Sequence, residues 1–385
     1  MATVAATTLD WRNEWHEFEG VTYLNLAGQS PVPKAAIKAI YSAVERAKFP
    51  YRIPDLEFFD APNRVRAAVA KLIGGQPDEV ALTSGASAGT AAVAHGLDWQ
   101  PGDEVITASG EFPMQYATWK PMEERAGITV KVVEARGAFH AEDDFIAALT
   151  PKTRLVSVSH VRFDDASMLD SARLAAACHR QGTLLLVDVS QSCGAVPMDV
   201  TELGADFLVC AGYKWLLGPF GTGFFWSKRE HLASMRPGPF YWMAAEGVHN
   251  FASLAGAPPR PAAAARRWDA AETASFYNLA ALEAGMELVL RAGPAAVAEH
   301  NHRLIEQLFS RLPADRCVPA SPRERARRGP YGCFKARSFE KTKQLYEQLR
   351  AENVITSLRE GKIRVSPYLY NSERDIDRVV GLVTA

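Results

Sequence analysis

The stretch that decides the fold is TLLLVDVSQSCGAVPMDVTELGADFLVCAGYKWLLGPFGTGFFW, residues 183–226. It contains two short apolar runs, 183–187 and 206–211, and polar residues or glycines close each of them. Runs of this length and composition predict buried strands. Asp188 stands at the end of the first run, and Lys214 follows the second by three residues. The stretch therefore predicts an acid and an amine beside neighbouring strand ends.

Lys214 lies among apolar neighbours, in the sequence GYKWLLGP. Burial disfavours the charged form of a lysine and lowers its pKa, and a neutral amine can form a Schiff base. An aspartate such as Asp188 can pair with a protonated pyridine nitrogen. Together these groups are what pyridoxal 5′-phosphate (PLP) requires of a protein.

The stretch also resembles a known family, the class V aminotransferases among the fold-type I PLP enzymes. This group includes cysteine desulfurases, selenocysteine lyases, kynureninases and isopenicillin N epimerase-like proteins. The resemblance rests on several fixed spacings, carried here by Asp188, Gln191, Gly194, Pro197, Asp199, Asp206, Phe207, Tyr213, Lys214, Trp215, Gly218, Pro219, Gly221 and Gly223.

The order of apolar runs along the chain also predicts an α/β fold. Short strand-like runs alternate with amphipathic helical spacings, a pattern typical of βαβ crossovers and a mostly parallel sheet. The resemblance implies a seven-stranded sheet between layers of helices, followed by a small α+β domain. We expect an N-terminal arm over 1–30, a large PLP-binding domain over 31–260, and a small domain over 261–385 that includes an interdomain helix at about 272–291.

Composition narrows the classes of protein. The 385 residues carry a net charge of −1, so the net charge does not indicate binding to nucleic acid or to an acidic membrane surface. The five cysteines show no CxxC spacing, so we predict neither a zinc site nor a disulfide framework. Neither a signal peptide nor an apolar span is recognisable, and we expect a cytoplasmic protein. The arginine-rich stretch 320–332 lacks interleaved aromatic residues and predicts an exposed loop.

A second motif follows the run 80–83, where SGASAGT opens a helical segment. The free N–H groups and the dipole of a helix N-terminus favour an anion. The family holds the cofactor phosphate at this segment, through the positions occupied here by Ala86 and Ser87. In the same family the position of Phe112 places a ring over the cofactor; desulfurases usually carry histidine there, and a phenylalanine cannot transfer protons.

The resemblance supplies the remaining candidates. Gln191 is a candidate partner of the cofactor's phenolic oxygen, and Tyr213 is a candidate phosphate ligand. Thr273 matches the threonine that reaches the phosphate of the partner subunit, so a homodimer with shared sites is expected. Arg364, in IRVS before Tyr370 and Asn371, matches the arginine that clamps a substrate α-carboxylate.

Two further segments are open to more than one interpretation. Trp242 lies in a Pro-rich aromatic loop of the kind that often forms a site wall and contacts substrate. Asp164 and Asp165 follow the run 155–159, where desulfurases have an asparagine. They either face the pocket or cap a loop, and we favour the loop cap.

These residues predict a PLP-dependent enzyme that acts at the Cα of an amino acid, with Lys214 as its proton carrier. Class V transamination is favoured, and C–S or β-elimination and epimerisation are the alternatives. A persulfide-forming desulfurase is disfavoured because the loop 354–362 contains no cysteine. A non-catalytic homologue is a distant alternative, and a nicotinamide-binding Rossmann protein lacks its G-x-G-x-x-G motif.

Overall fold

The computed structural model describes residues 11–236, 240–256, 260–273 and 275–385. Its strands are β1 (Thr22–Tyr23), β2 (Val80–Thr83), β3 (Glu104–Ala108), β4 (Thr129–Val133), β5 (Thr153–Ser159), β6 (Leu184–Asp188), β7 (Phe207–Ala211), β8 (Gly223–Ser227), β9 (Cys317–Pro319), β10 (Gly332–Ala336), β11 (Val354–Ile355), β12 (Ser357–Arg359) and β13 (Lys362–Val365). Its helices are α1 (Lys34–Ala47), α2 (Glu57–Ile73), α3 (Ala86–Gly96), α4 (Pro113–Ala126), α5 (Glu142–Ala148), α6 (Ser171–His179), α7 (Val200–Leu203), α8 (Arg229–Ser234), α9 (Phe276–Ala292), α10 (Pro294–Arg311), α11 (Phe339–Ala351) and α12 (Glu373–Thr384).

The main sheet has seven strands in the order β2-β8-β7-β6-β5-β3-β4. Neighbours in the series β7-β6-β5-β3-β4 pair in parallel, and β8 runs antiparallel to both β2 and β7. The predicted, mostly parallel seven-stranded sheet is therefore confirmed. Within residues 183–226, β6 and β7 are adjacent, as the two apolar runs predicted.

Helices cover both faces of this sheet, because successive strand residues point to opposite sides. In β6, Leu185 and Val187 belong to one apolar cluster together with α2, α6 and α9, while Leu186 belongs to a second cluster with α3 and α4. The sequence analysis did not predict α4. Its buried positions, Met114, Gln115, Trp119 and Met122, include a polar side chain and give a weak helical pattern.

The C-terminal part contains an antiparallel sheet in the order β12-β13-β10-β9. Helices α10, α11 and α12 contribute buried residues to a third apolar cluster beside it. The N-terminal segment joins this part through the parallel pair β1-β11. The exact division at 31–260 and 261–385 stays a prediction.

One prediction about this part is wrong. The stretch 320–332 is not simply an exposed loop, because Arg328 is fully buried. Its Nη1 donates to the carbonyl oxygens of Pro322 and Arg323, both at 2.8 Å, so the turn folds around its own guanidinium group. Four arginines in a row of polar residues do not indicate which one turns inward.

No helix in the described ranges has the length and apolarity needed to span a bilayer. The carboxyl ends of β5, β6 and β7 meet at one edge of the main sheet. In open α/β sheets, ligands bind beyond this edge. The fold thus brings Ser159, Asp188 and the loop after Ala211 together.

Candidate functional site

A cavity of about 160 Å³ lies at this edge of the sheet. Seven of the predicted site residues line it, namely Ala86, Ser87, Phe112, Asp188, Gln191, Tyr213 and Lys214. They come from four loops that are far apart in sequence. The structure therefore brings together most of the set predicted from motifs.

Lys214 is 7% exposed, and burial lowers its pKa to about 8, with Asp188 opposing the shift and Arg364 adding to it. Its Nζ lies 5.5 Å from the ring centre of Phe112 and 5.7 Å from that of Tyr213. The loop that carries Lys214 turns tightly after β7. A Cβ on Gly212 would lie 2.3 Å from Thr222 Oγ1, so glycine is required there.

Asp188 is the last residue of β6 and is 6% exposed. Its Oδ1 accepts a hydrogen bond from the backbone N–H of Ser190 at 2.8 Å. Burial raises the pKa of Asp188, and the Ser190 bond and the charge of Lys214 oppose this rise. A buried carboxylate with few partners is suited to a protonated ring nitrogen in the cavity.

The N-terminus of α3 also faces the cavity, since Ala86 and Ser87 line it. Gly85 is its N-cap and offers no side-chain cap. The first N–H groups of a helix need acceptors, and the helix dipole favours a negative charge. A phosphate group fits this end of the cavity, and an amine-reactive aldehyde with a ring nitrogen fits the Lys214 and Asp188 end. The residues present therefore fit PLP.

Gln191 has a different set of contacts from the one predicted. Its Nε2 donates to the carbonyl of Ala27, and its Oε1 accepts from the indole N–H of Trp215, both at 3.0 Å. The side chain thus ties the N-terminal segment to the loop of Lys214. One amide hydrogen is left over for a ligand.

Two aromatic rings beside Lys214 each pack against a second aromatic ring. Phe112 is 41% exposed and meets Phe163 edge to face, with ring centres 5.4 Å apart. Tyr213 stacks on Phe220 at 4.0 Å. Aromatic pairs in these arrangements hold ring orientation.

Three predicted residues do not line this cavity. Arg364 is buried behind it: its Nη1 donates to the carbonyl of Phe163 at 2.8 Å, and its Nε has no partner among the described residues. The Thr273 hydroxyl donates to the carbonyl of Ala270 in an adjacent cavity. Trp242 is exposed at the surface, next to Phe251.

Of the two interpretations of Asp164 and Asp165, the loop cap holds for Asp165, whose Oδ1 accepts from the backbone N–H of Ser167 at 2.8 Å, and neither residue lines the cavity. Both are buried, and Asp164 Oδ2 accepts from Lys362 Nζ at 2.8 Å. Arg162 lies 3.3 Å from Asp164 and 3.8 Å from Asp165. The sequence shows these charges directly after a buried strand. It does not show the partner of Asp164, because Lys362 is 198 residues away along the chain.

Sequence reasoning also missed Glu111, Ser159 and Phe163. The carboxylate of Glu111 accepts from the N–H and the hydroxyl of Ser159, at 2.9 and 2.7 Å. Ser159 and Phe163 both line the cavity. No spacing in the chain signals these contacts, because they join separate loops.

The chain is similar to known proteins over most of its length. Residues 22–379 match the family described as Aminotransferase class-V. An uncharacterized aminotransferase, YcbU, of Bacillus subtilis (strain 168) is 26% identical over 329 residues, which are 86% of this chain and 85% of that protein. Isopenicillin N epimerase of Streptomyces clavuligerus is 26% identical over 404 residues, covering 97% and 98% of the two chains.

Among solved structures, a C-DES variant with glycine covalently linked to its PLP cofactor has a TM-score of 0.86 at 23% identity. The match covers 97% of this chain and 98% of that one. These findings confirm the family resemblance, the fold and the PLP cofactor predicted from the sequence.

Proposed function

Because the chain belongs to the class V aminotransferase family, a family of PLP-dependent enzymes, we propose that it transfers the amino group of an amino acid by chemistry at Cα. The observation that supports this most is the setting of Lys214. It is a buried lysine with a lowered pKa that lines the same cavity as Asp188. Transamination needs a proton shift between two atoms, which one amine can carry out. It therefore requires fewer catalytic side chains than the alternative reactions.

PLP, when bound, supplies an electron sink for the bonds at Cα. Lys214 then removes a proton at Cα and returns it elsewhere, which its pKa of about 8 permits near neutral pH. With PLP in the cavity, Asp188 would pair with the ring nitrogen, and Ala86, Ser87 and Tyr213 would hold the phosphate. Phe112 would cover the ring and exclude water from one side. Gln191 fixes the loop of Lys214 through Trp215.

We assign the substrate α-carboxylate to Arg364. Its Nη1 is held by the Phe163 carbonyl, and the Nε side of the guanidinium has no protein partner among the described residues. That edge is the one that binds a carboxylate with two hydrogen bonds. The charge of Arg364 contributes to lowering the pKa of Lys214, which supports this assignment.

We further propose a homodimer with shared sites. Trp242, Phe220 and Tyr277 expose large apolar surfaces at 44%, 58% and 45%. In this proposal Trp242 contacts substrate and Thr273 reaches the phosphate of the neighbouring subunit. A cytoplasmic location is part of the same proposal, supported by five cysteines that are all buried and unpaired.

Elimination and epimerisation are the alternatives. Elimination needs an acid for the leaving group, and the candidate Tyr241 donates its hydroxyl to Glu272 at 3.2 Å. Epimerisation returns the proton to Cα, and Phe112 does not argue against it, because the epimerase-like branch of the family also has phenylalanine at this position. The engaged Tyr241 hydroxyl favours transamination over elimination, and the loop 354–362 without cysteine speaks against a persulfide-forming desulfurase.

The test is a half-reaction with the holoenzyme. Transamination predicts one keto acid per site and then no further product until an acceptor keto acid is added. Continuous release of ammonia and pyruvate from cysteine would instead establish a lyase. Loss of chirality without a keto acid would establish an epimerase.

A further inference from the structure

The loop after β5 alternates between the two sides of the cavity wall. Val161 and Phe163 line the cavity, while the Arg162 guanidinium lies behind them and is buried. Its Nη2 donates to the carbonyl of Gly110 at 2.8 Å. Arg162 therefore links its own loop to the turn that carries Phe112.

Carboxylates surround this guanidinium group. Glu111 lies 4.0 Å from Arg162 Nη1 and is fixed by Ser159. Asp164 and Asp165 approach its other nitrogens at 3.3 and 3.8 Å. Burial and the charge of Asp164 raise the pKa of Asp165. Among the described residues, removal of Arg162 would leave these carboxylates with one cation in contact, Lys362 on Asp164, so the guanidinium is needed to hold them together.

The anchored loops present two rings to the cavity. Phe112 and Phe163 meet edge to face at 5.4 Å with an angle of 83° between their planes. Phe112 lies 5.5 Å from Lys214 Nζ, and the Phe163 carbonyl accepts from Arg364. Phe112 thus lies beside the proposed proton carrier, and the backbone of Phe163 holds the arginine assigned to the carboxylate.

We propose that Phe112 and Phe163 form an aromatic wall that selects amino acids with apolar side chains, and that Arg162 is the positioning residue that fixes this wall. The inference rests on the proposed function, because it assumes that an amino acid binds between Lys214 and Arg364. Met114 and Val161 extend the apolar surface. The charged groups of the loop face away from the cavity, so a polar side chain against the wall loses water without gaining a partner.

Phe163 is tested with a matched pair of variants and a matched pair of ligands. L-Leucine and L-asparagine have similar shapes and differ in polarity, and so do the variants Phe163→Leu and Phe163→Asn. Calorimetry on each holoenzyme gives both dissociation constants. We expect the natural protein and Phe163→Leu to bind leucine at least about 10-fold more tightly than asparagine, and Phe163→Asn to lose this preference.

Equal binding of the two ligands by the natural protein would overturn the selective wall and leave the proposed function standing. The same holds if Phe163→Asn keeps the full preference for leucine. Binding of neither ligand would overturn the wall alone, because the half-reaction with other amino acids decides the proposed function separately.

Arg162 is tested by Arg162→Met and Arg162→Lys, with Arg328→Met as a control at a fully buried arginine whose guanidinium donates to carbonyls of its own turn. The readouts are the leucine-to-asparagine ratio of dissociation constants, the near-ultraviolet circular dichroism of the aromatic rings, and the unfolding temperature. We expect Arg162→Met to remove the preference and change the dichroism, and Arg162→Lys to restore part of both. Arg328→Met lowers the unfolding temperature alone. If Arg162→Met lowers stability and keeps the ligand ratio, the positioning role is wrong.

Discussion

Two buried aspartates at opposite ends of the main sheet have opposite electrostatic settings. Asp188 ends β6 at the cavity, and Asp206 immediately precedes β7 at the other edge. They are 6% and 2% exposed, so the two are buried to a similar degree. Burial alone raises the pKa of an aspartate, and it acts on both.

The difference lies in their partners. Asp206 accepts from the Leu185 N–H at 2.8 Å and contacts His231 and His179 at 2.9 Å and Lys228 at 3.3 Å. Against the effect of burial, these groups lower the pKa of Asp206 to about 2.

At the other end, burial prevails and the pKa of Asp188 is raised, since the Ser190 bond and the charge of Lys214 only oppose it. A carboxylate whose partners come from the protein stabilises the fold. A carboxylate left short of partners is prepared for a ligand.

The largest effect on turnover is expected when the lysines near the two aspartates, Lys214 at the cavity and Lys228 at the opposite end of the sheet, are compared by substitution. Lys214→Met should lower turnover about 1,000-fold or more, because the proposed proton carrier is lost. Lys228→Met, beside Asp206, should leave turnover nearly unchanged. Steady-state kinetics checks both variants. Borohydride reduction and peptide mapping of the holoenzyme should mark Lys214, and a mark on another lysine would refute the assignment of the site.

Arg364 sharpens the comparison, because its guanidinium Nε has no hydrogen-bond partner among the described residues. Arg364→Ala should weaken the binding of amino acids by about 2–5 kcal/mol, since a charge-assisted pair is lost. Simple amines, which carry no carboxylate, should bind with little change. Calorimetry with an amino acid and its decarboxylated amine measures the difference, and equal losses for both ligands would reject the role.

The aspartates themselves are compared by the same substitution. Asp188→Asn should lower kcat about 100-fold while the free energy of unfolding is retained, because a preorganised charge at the site is removed. Asp206→Asn should lower the free energy of unfolding at pH 7 by about 2 kcal/mol, the value of its pKa shift, and retain kcat. Denaturant unfolding and steady-state kinetics measure the free energy of unfolding and kcat of each variant. If Asp188→Asn lowered stability and Asp206→Asn lowered kcat, the contrast between the two aspartates would be wrong.

The pH dependence of stability gives the smallest effect. Asp206 has a lowered pKa in the folded state, from 3.8 to about 2, so its contribution is fully present above pH 3.8. As the pH falls from about 4 to 2, Asp206 should lose about 2 kcal/mol of stabilisation in the natural protein. Asp206→Asn should show a shallower decline over this interval. Parallel curves for the two proteins would assign the acid sensitivity to other groups.

Much of the site was predictable because its parts are local. The runs 183–187 and 206–211 are β6 and β7 with boundaries shifted by one residue, and the small-residue turn at Gly85 opens α3 as expected. Asp188 and Lys214 follow neighbouring strands, and parallel strands end at the same edge. These features depend on side-chain period, turn chemistry and chain direction, all of which are written in short stretches of sequence.

Contacts between distant segments were not predictable in the same way. The sequence by itself singled out the residues that we propose carry the chemistry: Lys214, Asp188, Arg364 and the turn at Gly85. Only the tertiary structure decided that Asp164 meets Lys362, that Arg162 holds the turn of Phe112, and that Asp206 rather than Asp188 is surrounded by partners. The reason is physical. Protonation and orientation depend on burial and on neighbours within a few ångströms, and folding brings those neighbours from anywhere in the chain.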